Sequence, residues 1–167
     1  ETAIKYTRFQ EILEMDVSNI EKIEEFAKEF KVYFDFWSIK ASWEKLVADL
    51  MGSCVKSIDV DTIQNTLEKN IKTVNICQKE LEGNEMFKGF KEEMEKFRAV
   101  TTILTAFREE ALDENSWNEI KALLKDDPNI EFVDFDYKSK EFILSDIYKM
   151  NMMLYKDQIS NISVRAN

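Results

Sequence analysis

Only 3 glycines and 1 proline punctuate the 167 residues. Sandwiches, barrels and collagen need such residues at every turn or repeat, so a chain this poor in them cannot supply the connections of those folds. Long helices are the alternative. Hydrophobic residues make up 44% and charged residues 34%, enough for a core and for solvated helical faces. A chain of this length is expected to bury about 70% of its unfolded surface in one domain. The expected fold is all-α: an elongated bundle of five to seven helices, with residues 1–167 as a single helical segment.

Apolar spacing places the helices. Ile4, Phe9, Ile12 and Leu13 predict a first short helix ended by Met15-Asp16-Val17. Ser18 and Glu21 form a capping-box pattern, in which the hydroxyl accepts from the amide three residues on and the carboxylate reaches back. A helix is therefore expected from Asn19, with Ile20, Ile23, Phe26, Phe30, Phe34 and Trp37 on one stripe. The register then shifts to Trp43, Leu46, Val47 and Leu50 before Gly52 offers a stop. Thirty residues make a rod of about 50 Å, better suited to a mechanical or scaffolding element than to an enzyme. Around Val32, Phe36 and Ile39 apolar groups run nearly all the way round, which predicts burial on more than one side.

Asp59 can cap a third helix with the stripe Ile63, Leu67, Ile71, Val74, Cys77 and Leu81, ending at Gly83. Asn84 can cap a fourth, from Phe87 to Ala111, although the β-branched run Val100-Thr101-Thr102-Ile103 is expected to bend or break it. The two should pair as an antiparallel hairpin joined by a one- or two-residue turn. Ser116 with Glu119 reads as a second capping box, making Trp117 the first residue of a short helix that ends at Asp126-Asp127-Pro128. A short extended segment is expected over residues 130–137. Ser145 can cap a small helix through Met150, and a last helix after Asn151 should present Leu154, Ile159 and Ile162.

The sequence contains no histidine, and with it go the commonest metal ligand and the usual base that activates Ser or Cys. Gly52, Gly83 and Gly89 are scattered, so they form no phosphate cradle. Asp59-Val60-Asp61 resembles the opening of a calcium loop, yet Ile63 and Gln64 stand where a ligand and the turn glycine belong. Glu92-Glu93-Glu95 and Glu109-Glu110 read as solvated faces, because adjacent side chains on a helix point apart. Asn161-Ile162-Ser163 matches the glycosylation pattern, a short pattern that arises by chance. Cys54 and Cys77, both in helix-like stretches, read as small hydrophobes in a reducing compartment. No catalytic residue, metal or cofactor is expected. The net charge of −10 repels nucleic acid and anionic membranes, and no apolar run approaches the ~20 residues that span a bilayer. Residue 1 is Glu and the last helix meets no stop signal, which points to a segment of a longer polypeptide.

Two stretches carry a family resemblance. Within Thr102 to Ile120, residues Arg108, Ala111, Leu112, Trp117 and Ile120 match the pattern of the dynein heavy chain, in the linker just before its motor ring. The second, Phe142-Ile143-Leu144-Ser145-Asp146-Ile147 running on to Tyr155, Ile159, Ile162 and Ala166, resembles that family's Phe-Thr-Leu turn and following helix. Trp37 and Trp43 stand about where the family has aromatics on a long helix. The likeness covers residues 18 to 167. It departs where Asn115-Ser116-Trp117 replaces Arg-His-Trp, and where Val100 or Thr101 replaces a proline.

The resemblance implies an architectural role: part of a lever that bends across an AAA+ ring as nucleotide changes. It places ATP hydrolysis in the ring and microtubule contact in a distant stalk, both outside this segment. The implied partners are the rest of the heavy chain, ring and tail, and other dynein subunits. The implied location is the cytoplasm and cytoskeleton, and Met150-Asn151-Met152-Met153 leans toward ciliary chains of the axoneme. The alternative is an unrelated interaction module, a spectrin-like or adaptor bundle, which predicts a closed three-helix repeat with no exposed apolar flank.

Overall fold

The computed structural model describes the backbone of residues 2–167 and the side chains of residues 19–167. Six α-helices appear in chain order: α1 (Thr2–Met51), α2 (Val60–Leu81), α3 (Glu85–Phe107), α4 (Glu114–Lys125), α5 (Leu144–Lys149) and α6 (Lys156–Ala166). Single 3-10 turns at Val55–Ser57 and Met152–Tyr155 complete the helical elements, and the described residues include no strand. The all-α expectation holds.

α1 differs most from expectation. It runs unbroken through residues 15–18, so neither the stop at Met15-Asp16-Val17 nor the new start behind Ser18 exists. Asp and Ser disfavour a helix interior only weakly, and no glycine or proline lies there to end it. Whether Ile4, Phe9, Ile12 and Leu13 share a face lies outside the described side chains. The far end behaves as expected, with the helix finishing at Met51 just before Gly52.

α3 is the centre of the bundle, with α1, α2 and α6 around it. Phe87, Phe90, Met94, Phe97, Val100, Leu104 and Phe107 are all buried along it, each contributing roughly 1.5–3 kcal/mol of transfer free energy. The run at 100–103 neither bends nor ends the helix. Val100, Thr101 and Ile103 are buried, and the Thr101 and Thr102 hydroxyls both donate to the Arg98 carbonyl, at 2.7 and 3.2 Å. Burial outweighs the small propensity deficit of β-branched residues. α2 precedes α3 as the expected hairpin, through a three-residue link in which Asn84 Oδ1 accepts from the amides of Met86 and Phe87.

Three later expectations are corrected. α4 starts at Glu114, three residues before Trp117, because the Asp113 carboxylate rather than the Ser116 hydroxyl caps it, accepting from Ser116 N at 2.8 Å. α5 starts at Leu144, with Ser145 inside it; Asp146 accepts from the Ile143 amide at 3.1 Å and closes its first turn. Residues 131–136, inside the expected extended segment, are neither helix nor turn and pair in no ladder, so that expectation is not overturned. After Asn151, whose φ of 49° lies in the left-handed region, Ile159 and Ile162 point inward but Leu154 is exposed, Met152 filling the core instead.

Candidate functional site

Two of the matched residues, Trp117 and Phe142, meet at a junction built around Phe107, the last residue of α3. Its ring centroid lies 5.1 Å from Trp117, 6.1 Å from Tyr137, and 6.4 Å from both Phe135 and Phe142. Trp117 stacks on Tyr137 at 5.5 Å, and Phe135 on Phe142 at 4.7 Å, both pairs inclined by 16°. The junction thus joins α3, α4 and the whole 130–142 connection by ring packing, worth about 0.5–1.5 kcal/mol per pair beyond burial. Trp117 is half-buried rather than sealed, because it opens the junction's rim.

Charged groups brace this junction from outside. Arg108 Nη1 reaches Asp61 Oδ2 at 3.6 Å, tying the end of α3 to the start of α2. Lys121 pairs with Asp134 at 2.9 Å and lies 5.3 Å above the Phe135 ring. The Lys121 ammonium holds the Asp134 carboxyl below the usual carboxylate range. The Ser116 amide and hydroxyl do the same for Asp113, and the Thr62 hydroxyl and amide for Asp59. Burial pushes the Tyr137 hydroxyl up.

A second contact chain ties α1 into the bundle. Trp43, 1% exposed, meets Phe97 edge-on at 4.8 Å, and Phe97 meets Tyr148 of α5 at 6.4 Å. Phe36 packs on Phe87 and Phe90 at 5.5 and 5.6 Å. Just past α1, Cys54 pairs with Ile143 in an isolated antiparallel bridge. Val55 N donates to Phe142 O at 2.9 Å, and Leu144 N donates to Ser53 O at 3.1 Å. Phe142 therefore connects the end of the long helix to the junction at Phe107.

The other matched residues are distributed as follows. Ile120, Leu144, Ile147 and Ile159 are buried, Ala111 and Leu112 are half-buried in the turn before α4, Ala166 is the half-buried last residue of α6, and Trp37 is exposed. Ala111 lies beyond α3, not on it. Cys77 is buried, while Cys54 is half-buried in the turn after α1 rather than in a helix; both are free. Sequence reasoning missed Phe135, Tyr137 and Asp113, although Asp113 stands three residues before Ser116, the spacing of a cap.

An open cleft of about 860 Å³ beside the junction is lined by Lys121, Asp134, Asp136, Phe142, Asp146 and neighbours. Its three aspartates are engaged in structure, Asp134 by Lys121, Asp136 by the Lys138 amide and Asp146 by the Ile143 amide, while Glu131 and Glu141 also line it. Among the described residues no group of three or more potential metal ligands occurs, and no helix is long and apolar enough to cross a membrane.

The model of the family described as "Dynein heavy chain, N-terminal region 2" matches residues 23–167. The chain belongs to the dynein heavy chain family. It is 21% identical over 138 residues to mouse dynein axonemal heavy chain 1, covering 78% of this chain. Human dynein axonemal heavy chain 6 is 24% identical over 119 residues, 71% of the chain, and mouse dynein axonemal heavy chain 2 is 22% identical over 141 residues, 83% of it. The chain spans 3% of the length of each of these relatives. It is thus similar to an N-terminal segment of axonemal heavy chains. No solved structure matches it.

Proposed function

We propose that the chain is a non-catalytic mechanical segment of a dynein heavy chain, part of the linker that couples ATP hydrolysis in the AAA+ ring to movement along microtubules. One observation carries the reading: a continuous 50-residue helix, about 75 Å long, which packs on the bundle through Phe36, Ile39, Trp43 and Leu50 while its side chains from Ile20 to Phe30 stay exposed. A stiff rod fixed by Trp43, Phe36 and the Cys54 bridge to a compact bundle transmits rotation of that bundle as displacement at its far end. The axonemal relatives support a cytoskeletal, ciliary location, with the rest of the heavy chain as principal partner. A closed spectrin-like or adaptor bundle is disfavoured by the exposed apolar flank of α1.

The test is a helix-breaking substitution, Glu24→Pro, in the whole heavy chain. ATP turnover is expected to persist while microtubule gliding slows several-fold. Unchanged gliding with a broken helix would overturn the lever reading.

A further inference from the structure

α1 carries two apolar faces. Successive residues turn about 100°, so Phe34 and Phe36 lie about 200° apart around the axis. Phe36, Ile39, Trp43 and Leu50 face the bundle. The opposite face holds Ile20, Ile23, Phe26, Phe30, Phe34 and Trp37, spaced by three or four residues and all exposed, Phe26 the most at 70%. Nothing among the described residues covers them. Their open area is on the order of 700 Å², more than the largest patch of a typical monomer and close to one partner's share of a standard interface.

We propose that this face is the seat of a second amphipathic helix of the same heavy chain, one that lies outside these 167 residues, with an aliphatic ridge and net basic flanks. Three observations fix the occupant. The stripe runs straight from Ile20 to Trp37, about 26 Å, the length of some five turns of a partner helix laid ridge into groove. Between Asn19 and Trp37, Glu21, Glu25 and Lys28 lie on the far side of the axis, and the charges that border the stripe are Glu24, Glu29 and Asp35 against Lys22 and Lys31, so a net basic flank is complementary. A second copy would instead set like charge against like. The segment spans only 3% of its relatives, so most of such a polypeptide lies outside it, and a helix in the same chain docks at an effective concentration no separate protein matches. The proposal rests on membership of a heavy chain and not on the lever reading.

The test places the photocrosslinker p-benzoylphenylalanine at Phe30 in the whole heavy chain, mixed with isotope-labelled chain. The expected product is an intrachain adduct to a basic, aliphatic helical peptide outside these residues. Phe26→Glu with Phe34→Glu should reduce it at least tenfold, and the same probe at Met86, exposed on α3, should not form it. Adducts to a labelled copy, adducts to a different polypeptide, or protein that stays uncrosslinked would each overturn the proposal. None of these readouts depends on gliding or ATP turnover, so the two readings fail separately.

Discussion

Trp43 stands edge-on to Phe97, 4.8 Å between ring centroids and 83° between planes, with its indole Nε1 buried and without a hydrogen-bond partner. The pair joins the long helix to the centre of the bundle, and the orphaned N–H is a cost set against that packing. A buried donor without a partner costs about 1–3 kcal/mol, whereas truncating a buried aromatic to Ala costs about 3–5 kcal/mol. Trp43→Phe keeps a ring and removes the donor, so it should lose less than about 1.5 kcal/mol, against the full truncation cost for Trp43→Ala. Urea unfolding of both variants checks this. Equal losses would mean that the N–H carries no penalty.

At Trp117, half-buried, the truncation cost should fall below that of a sealed aromatic, to about 2 kcal/mol. Its coupling to Tyr137, measured by a double-mutant cycle with Tyr137→Leu, should be about 0.5–1.5 kcal/mol. A coupling near zero would show the stacked pair to be incidental.

Asn151 occupies the left-handed region at φ 49° and ψ 41°, where a β-branched residue is strained by roughly 1–2 kcal/mol. Asn151→Val should lower stability by about that much and Asn151→Gly by far less. Thermal melts of the pair decide it: a harmless valine would place the left-handed turn elsewhere.

Acid should weaken the fold through its caps. Asp113 has its pKa lowered in the folded state, chiefly by the Ser116 amide, so its contribution is present above the unfolded value near 3.9 and is lost as pH falls below it. Asparagine caps almost as well without titrating. Asp113→Asn should therefore match the parent at pH 7 and lose less stability between about pH 5 and 2. Parallel acid limbs for the two proteins would exclude the cap as a source.

At the alkaline end the sign reverses. Burial, with Glu93 adding to it, raises the Tyr148 hydroxyl well above its ordinary value of 10.0. The unfolded chain then ionises first, and stability falls as pH rises through about 10. Tyr148→Phe should flatten that limb, read by melting between pH 8 and 11.

The caps show how far local chemistry carries. Asp59 and Asn84 sit beside the amides they accept from, within two or three residues, so sequence alone placed the starts of α2 and α3 and the hairpin between them. Gly52 marked the end of α1 for the same reason. The α3 stripe was equally legible, since seven apolar residues at three- and four-residue spacing have only one face to bury. The resemblance in Arg108, Trp117 and Phe142 led to the family, which the family model then showed.

Where two local signals competed, the tertiary structure decided. Asp113 and Ser116 are both good caps, and the choice follows from where α3 stops at Phe107 and how the chain turns before α4. Asp16 and Ser18 carry cap chemistry, but a cap acts only where a helix ends, and α1 does not end there. The bridge between Cys54 and Ile143, and the gathering of Trp117, Phe135, Tyr137 and Phe142 around Phe107, join residues far apart in sequence. Such contacts have no local periodicity, so only the closed chain sets them. The sequence by itself determined that α1 is apolar nearly all the way round between Val32 and Ile39; the tertiary structure decided which side the bundle takes there, because α3 offers Phe87, Phe90 and Phe97 to one face only.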